Sequence, residues 1–149
     1  MAFIYDCDFT IHSVIDNLDE AGVPDGEPEI SITTERGFLK AEPSEPQDKL
    51  YISYNEEGEG GKTHTEIVID GNKVKLSRRG SSSYDLVFGE GEECSCVYSV
   101  PPYSFDMRVN CKRVRNSMTR EGGVLQIIYD MNVGGADKKC RMKITAKRR

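Results

Sequence analysis

From Leu50 to the end of the chain, apolar and polar residues alternate with a period of two, and this pattern restricts the fold more than any other feature. A strand with one buried and one wet face must alternate in this way, whereas a helix would repeat its apolar positions every three to four residues. Leu50, Ile52 and Tyr54 fall on one face, as do Ile67 and Ile69, Tyr84, Leu86 and Phe88, and Leu125, Ile127, Tyr129, Met131 and Val133. Phe105, Met107, Val109 and Cys111 face one way while Asp106, Arg108, Asn110 and Lys112 face the other. Cys140, Met142, Ile144 and Ala146 alternate in the same manner with Lys139, Arg141, Lys143 and Thr145. The breaks carry turn chemistry: Asp70-Gly71-Asn72, Gly89-Glu90-Gly91, Glu121-Gly122-Gly123 and Gly134-Gly135-Ala136-Asp137 tolerate the positive φ that tight hairpins need. Pro101-Pro102 interrupts the ladder because proline lacks a backbone N–H.

The first third is less regular. Phe9, Ile11, Ser13 and Ile15 alternate with Thr10, His12, Val14 and Asp16, which predicts a strand near 4–17, and residues 29–39 supply a second. The polar, Pro/Gly-bearing stretches 17–28 and 41–49 read as loops, with a short helical turn expected around 16–21. About ten strands joined by short turns describe an antiparallel up-and-down meander. Closing such a sheet removes its edges and gives every apolar row an interior, so a barrel is the expected form, with a two-sheet sandwich as its competitor. At 149 residues the whole chain suits one domain with one core.

Several ordered pieces resemble the small bacterial YwiB-like family: Leu50-Tyr51-Ile52-Ser53-Tyr54-Asn55-Glu56, Val74-Lys75-Leu76-Ser77-Arg78-Arg79-Gly80, Leu86-Val87-Phe88-Gly89-Glu90-Gly91, Tyr98-Ser99-Val100-Pro101-Pro102-Tyr103-Ser104-Phe105, and the run from Glu121 to Tyr129. Their order over residues 30–147 makes the resemblance specific. Ser104 stands where the family is expected to have glycine, and the 41–49 loop is longer than usual. The resemblance implies a calycin-like, that is lipocalin-like, β-barrel of unknown function. Barrels of that shape often hold a small apolar ligand, but a fold does not confer a function.

Charge is divided along the chain. Residues 1–70 carry 17 acids and 4 Lys/Arg, residues 71–149 carry 8 acids and 16 Lys/Arg, and the net charge is −5. A closed barrel lays its early strands beside its late ones, so the two halves are expected to neutralise each other. The rival reading is a basic face for nucleic acid or a protein partner, built from Lys112, Arg113, Arg115, Arg120, Lys138, Lys139, Arg141 and Lys143. Five cysteines, Cys7, Cys94, Cys96, Cys111 and Cys140, form an odd set without an export signal and are expected to be free thiols of a cytoplasmic protein. Neither His12 nor His64 has zinc-type spacing with a cysteine, so no metal is expected. The start of the chain is acidic where a secretory signal is basic, no run is apolar enough for a membrane helix, and no membrane partner is expected.

Catalytic patterns are missing from the sequence. No G-x-S-x-G elbow occurs, Gly58-Glu59-Gly60-Gly61 reads as a flexible hairpin loop rather than a phosphate loop, and no acid/base carboxylate pair stands out. Neither enzyme activity nor a cofactor is therefore expected. Small inward residues at Cys94, Cys96, Cys111, Cys140 and Ala146 should border any cavity the large side chains leave unfilled. Arg78, Glu56 and Tyr98 are polar groups on inward rows. A charge there needs a partner, so Arg78 either closes one end of the barrel as an ion pair with Glu56 or meets a ligand anion. The sharper expectation is a ligand site of Tyr54, Glu56, Arg78, Tyr98, Tyr103 and Tyr129 for a small apolar or anionic molecule.

Overall fold

The computed structural model describes residues 2–58 and 61–149. Ten strands follow one another: β1 (Phe3–Asn17), β2 (Glu29–Glu42), β3 (Lys49–Gly58), β4 (Gly61–Asp70), β5 (Lys73–Arg79), β6 (Tyr84–Phe88), β7 (Glu93–Val100), β8 (Tyr103–Asn116), β9 (Gly122–Val133) and β10 (Ala136–Arg148). Every ladder is antiparallel, and the sheet runs β6-β5-β4-β3-β2-β1-β10-β9-β8-β7. It is one continuous sheet rather than a sandwich, because β1 pairs with β10 along most of its length, from Cys7–Arg148 to Asn17–Lys138. The sheet curls until β6 meets β7. A bridge between Ser83 and Ser99 joins that seam, with both backbone N–H···O bonds at 2.9 Å. The Tyr84 and Tyr98 rings, 5.5 Å apart, pack across it.

No helix occurs among the described residues, so none is long and apolar enough to cross a membrane. The helical turn expected at 16–21 is absent. β1 continues to Asn17 because β10 extends its ladder that far, and Asp19 then accepts hydrogen bonds from the Ala21 and Val23 N–H groups in a loop. β2 also runs past the predicted Leu39 to Glu42, where Lys49 pairs with it. Gly71-Asn72 and Gly134-Gly135 are two-residue hairpin loops, and Gly71, Gly134 and Gly135 all have positive φ. The Gly58-Glu59-Gly60-Gly61 loop is centred on residues outside the described set.

The charge division resolves across the β1–β10 ladder. Asp8 pairs with Arg149 and stands opposite Lys147, and Asp16 stands opposite Lys139. Arg120, from the β8–β9 connection, makes a two-pronged bond to Asp48 of the β2–β3 loop, at 2.8 and 2.9 Å.

Inward side chains fill the two ends of the barrel unequally. At the end that holds the β4–β5, β6–β7 and β8–β9 turns, Leu39, Leu50, Ile67, Ile69, Val74, Phe88, Leu125, Ile127 and Ile144 are fully buried, and Met118 closes the bottom. This end is a packed hydrophobic core. Toward the other end, where the β1–β2, β3–β4, β5–β6, β7–β8 and β9–β10 connections gather, the inward residues of β2 to β6 become serines, threonines, tyrosines and charges.

Candidate functional site

Strand registers lay the inward residues of β2 to β6 in rows across the barrel wall. One row, Leu39, Ile52, Ile67, Leu76 and Leu86, is apolar throughout and belongs to the core. The next row toward the open end is Gly37, Tyr54, Thr65, Arg78 and Tyr84, each the ladder partner of its neighbour. One step of a period-two strand thus turns a greasy row into a polar one.

Above this row lies a cavity of about 510 Å³, within the usual range for a small-molecule pocket. Its opposite wall is softer. Ile11 and Ile15 of β1, Met107 of β8, Tyr129 and Met131 of β9, and Cys140 and Met142 of β10 line it. The charged side chains of the inward rows on the lining are Arg78 and Lys138 against Glu56.

Beside the cavity the sheet splits. The β2–β3 ladder stops at Gly37–Tyr54, although β2 stays paired with β1 as far as Glu29 and β3 with β4 as far as Gly58. Residues 29–36 of β2 and 55–58 of β3 therefore border a lateral gap. Gly37 marks the point of divergence. A Cβ there would sit 2.1 Å from the Ser53 carbonyl oxygen, so only glycine permits this close approach.

Arg78 Nη2 and Glu56 Oε2 are 3.6 Å apart, a loose ion pair, and the Arg78 guanidinium lies 5.9 Å from the centre of the Tyr84 ring. Burial works against the arginine's charge, but Tyr84 and Glu56 outweigh it and hold its pKa above the ordinary value. Burial pushes the Tyr54, Tyr84 and Tyr129 phenols up, so they are neutral donors and acceptors at physiological pH. Cys140 is pushed up to about 11, chiefly by burial, which makes it an inert thiol. Two buried polar atoms have no partner among the described residues, Thr65 Oγ1 and Arg78 Nε. The Thr65 hydroxyl lies beside the Tyr54 phenol without meeting it in hydrogen-bond geometry. An orphaned buried polar atom costs about 1–3 kcal/mol, which a ligand or water can recover.

Five of the six residues expected to form the site line the cavity: Tyr54, Glu56, Arg78, Tyr98 and Tyr129. Tyr103 does not, and is corrected here. It is the first residue after the Pro101-Pro102 turn, where β8 has only begun, and its side chain is 66% exposed. Phe105, expected inside, is also largely exposed near that rim. The small-residue wall is corrected too. Only Cys140 borders the cavity; Cys94 and Cys96 lie half-buried along β7, and Cys111 and Ala146 are packed in the core.

Sequence reasoning passed over Tyr84, Thr65 and Glu35. Thr65 and Glu35 share the parity of Ile67 and Leu39 and were legible as inward polar residues, had parity been followed past the apolar positions. Glu35 sits on the β2 side of the gap, and burial, then Glu56 and Glu57, raise its pKa.

A closely spaced acid and base with a nucleophile does not occur on this lining, and no group of three or more His, Cys, Asp or Glu among the described residues could hold a metal ion. In class, the molecule is a ten-stranded antiparallel up-and-down β-barrel, nearly closed, with one end packed and the other hollow. The sequence profile of the domain of unknown function DUF1934 matches residues 25–144, and the chain belongs to that family. The uncharacterized beta-barrel protein YwiB of Bacillus subtilis (strain 168) is 28% identical over 88 residues, covering 59% of this chain. That match spans 62% of the relative's length. The crystal structure of the ywiB protein from Bacillus subtilis superposes with a TM-score of 0.82 at 25% identity, covering 98% of this chain and 93% of the other.

Proposed function

We propose that the hollow half of the barrel binds a small, largely apolar molecule carrying one polar group. The observation that supports this reading is the unfilled space of about 510 Å³ above a packed core, with buried Thr65 Oγ1 and Arg78 Nε unpartnered on its wall. A protein that needed only stability would gain by filling the space, since lost packing contacts destabilise a fold. The lipocalin-like shape agrees, as an analogy. Five unpaired thiols suit a reducing compartment, and the cytoplasm is the location this reading takes. The test is titration with 1-anilinonaphthalene-8-sulfonate, whose fluorescence rises in apolar surroundings. Wild type should give a saturable signal, and Ser13→Phe, which projects a ring into the cavity, should abolish it. An unsaturable signal, or one unchanged by Ser13→Phe in a folded variant, would refute the reading.

One observation favours a second reading. Arg113, Arg115, Arg141 and Lys143 form no salt bridge among the described residues, and the ladders place them around Gln126 and Ile128 on the outer face of β8, β9 and β10. Lys112, Arg120 and Lys138 of the expected basic face are engaged instead by Asp130, Asp48 and Asn17. A patch of four cations could hold a polyanion such as single-stranded RNA, whose affinity would fall with a logarithmic salt slope of about 3. Fluorescence anisotropy with a labelled RNA oligonucleotide decides it. No binding at low salt removes this reading.

A further inference from the structure

Resting on the binding reading above, the chemistry of the cavity wall narrows the ligand class. We infer that the polar group of the ligand is a carboxylate, held by Arg78 Nε and Thr65 Oγ1, with its apolar body against Met107, Met131, Met142 and Tyr129.

Three observations carry this. Thr65 and Arg78 are ladder partners on adjacent strands, so an O–H and a charged N–H stand side by side on the inner face, both without an acceptor. Two neighbouring donors suit the two oxygens of one carboxylate. Thr65 is 1% exposed, so its hydroxyl has no bulk water to turn to. The lining charge points the same way. Lys138 adds to Arg78, and the single acid, Glu56, is already engaged by Arg78 through a contact of 3.6 Å. An ammonium head would meet these cations, and a neutral head would leave the Arg78 N–H with a weaker acceptor. Hydrogen bonds to an ionised partner are roughly twice as strong as neutral ones. The facing wall is mostly apolar. Its thioethers adapt to the shape of a body and make favourable contacts with aromatic rings.

The gap between β2 and β3 opens beside this row, since Tyr54 is both the last β3 residue paired with β2 and the ladder partner of Thr65. A carboxylate passing through it would encounter Glu35 and Glu56 first. Neutralising those acids should therefore favour binding.

Three probes with one body and different heads test the inference: 2-naphthoate, 2-naphthalenemethanol and 2-naphthylmethylammonium, titrated by calorimetry at pH 7. A charge-assisted bond predicts that the acid binds about tenfold or more tighter than the alcohol, with the ammonium weakest. Arg78→Gln should erase the acid's advantage while the alcohol still binds, and an unchanged circular-dichroism spectrum reports that the variant is folded. Thr65→Val, close in shape to threonine, should reduce the acid's advantage several-fold, and Glu56→Gln should tighten the acid. If the acid binds no tighter than the alcohol, or keeps its advantage in Arg78→Gln, the carboxylate assignment falls and the binding reading stands. If none of the three binds, both fall.

Discussion

The unequal filling of the barrel can be probed with a matched pair of truncations. Ile69→Ala and Met131→Ala delete the same number of heavy atoms from inward positions. Ile69 is 1% exposed and sits between Leu50 and Val74 on the neighbouring strands, with packed side chains on all sides. At roughly 0.8 kcal/mol per buried methylene plus the cavity left behind, its truncation should cost about 3–4 kcal/mol. Met131 is partly exposed and already borders open space. Fewer contacts are lost there, and about 1 kcal/mol is expected. For a chain of this size the corresponding drops in Tm are roughly 8–14 °C and 2–4 °C. Urea denaturation followed by circular dichroism gives both values without ligand. Equal losses, or a larger one at Met131, would refute the division into packed and hollow halves.

Other consequences are separately checkable. Asp48 is held below the ordinary carboxylate range by the hydrogen bond from Arg120, so its folded pKa lies under its unfolded one and its contribution is present at neutral pH. Asp48→Asn should lower Tm at pH 7, and the difference from wild type should vanish as pH falls through the folded pKa of Asp48; a constant difference across that window would contradict the linkage. Glu35 shifts the other way, raised by burial and by Glu56 and Glu57. Its ionisation opposes folding as pH rises through the unfolded and then the folded pKa, so Glu35→Gln should raise Tm at pH 7 and lose that advantage near pH 4 in the same melting series. Hydrogen exchange should show alternate amides of residues 30–35 of β2, those turned to the gap, exchanging faster than the doubly paired Leu39 and Ala41. Cys140, with its pKa pushed up to about 11, holds roughly 0.1% thiolate at pH 8, and native-state labelling with iodoacetamide should modify the half-buried Cys94 well before it.

Much of this architecture was legible because period-two alternation is a direct imprint of a sheet with one dry face. Parity alone placed Leu50, Ile52, Tyr54, Leu86, Phe88 and Ile127 inside, and it put Glu56 and Arg78 on inward rows before any pairing was known. What it could not supply was register. Whether an inward residue meets core or cavity depends on which residues stand beside it on neighbouring strands. Cys94 and Cys140 have the same size and parity, yet only Cys140 reaches the hollow end. Tyr103 and Phe105 show a second limit, since an inward-pointing side chain at a strand's first turn can clear the rim and remain wet. The β2–β3 gap was invisible for a similar reason. Residues 29–36 read as an ordinary strand, and β1 does pair with them, while the partner missing on the other side is a property of β3's path beyond Gly37.

The methionines provide the most direct test of a barrel that is packed at one end and receptive at the other. Met107, Met131 and Met142 line the cavity, whereas Met118 is buried at the packed end. In protein labelled with 13C at the methionine methyl groups, adding 2-naphthoate should shift the resonances of Met107, Met131 and Met142 in a saturable manner and leave Met118 in place. Unmoved cavity methionines, or shifts spread equally to Met118, would contradict the account.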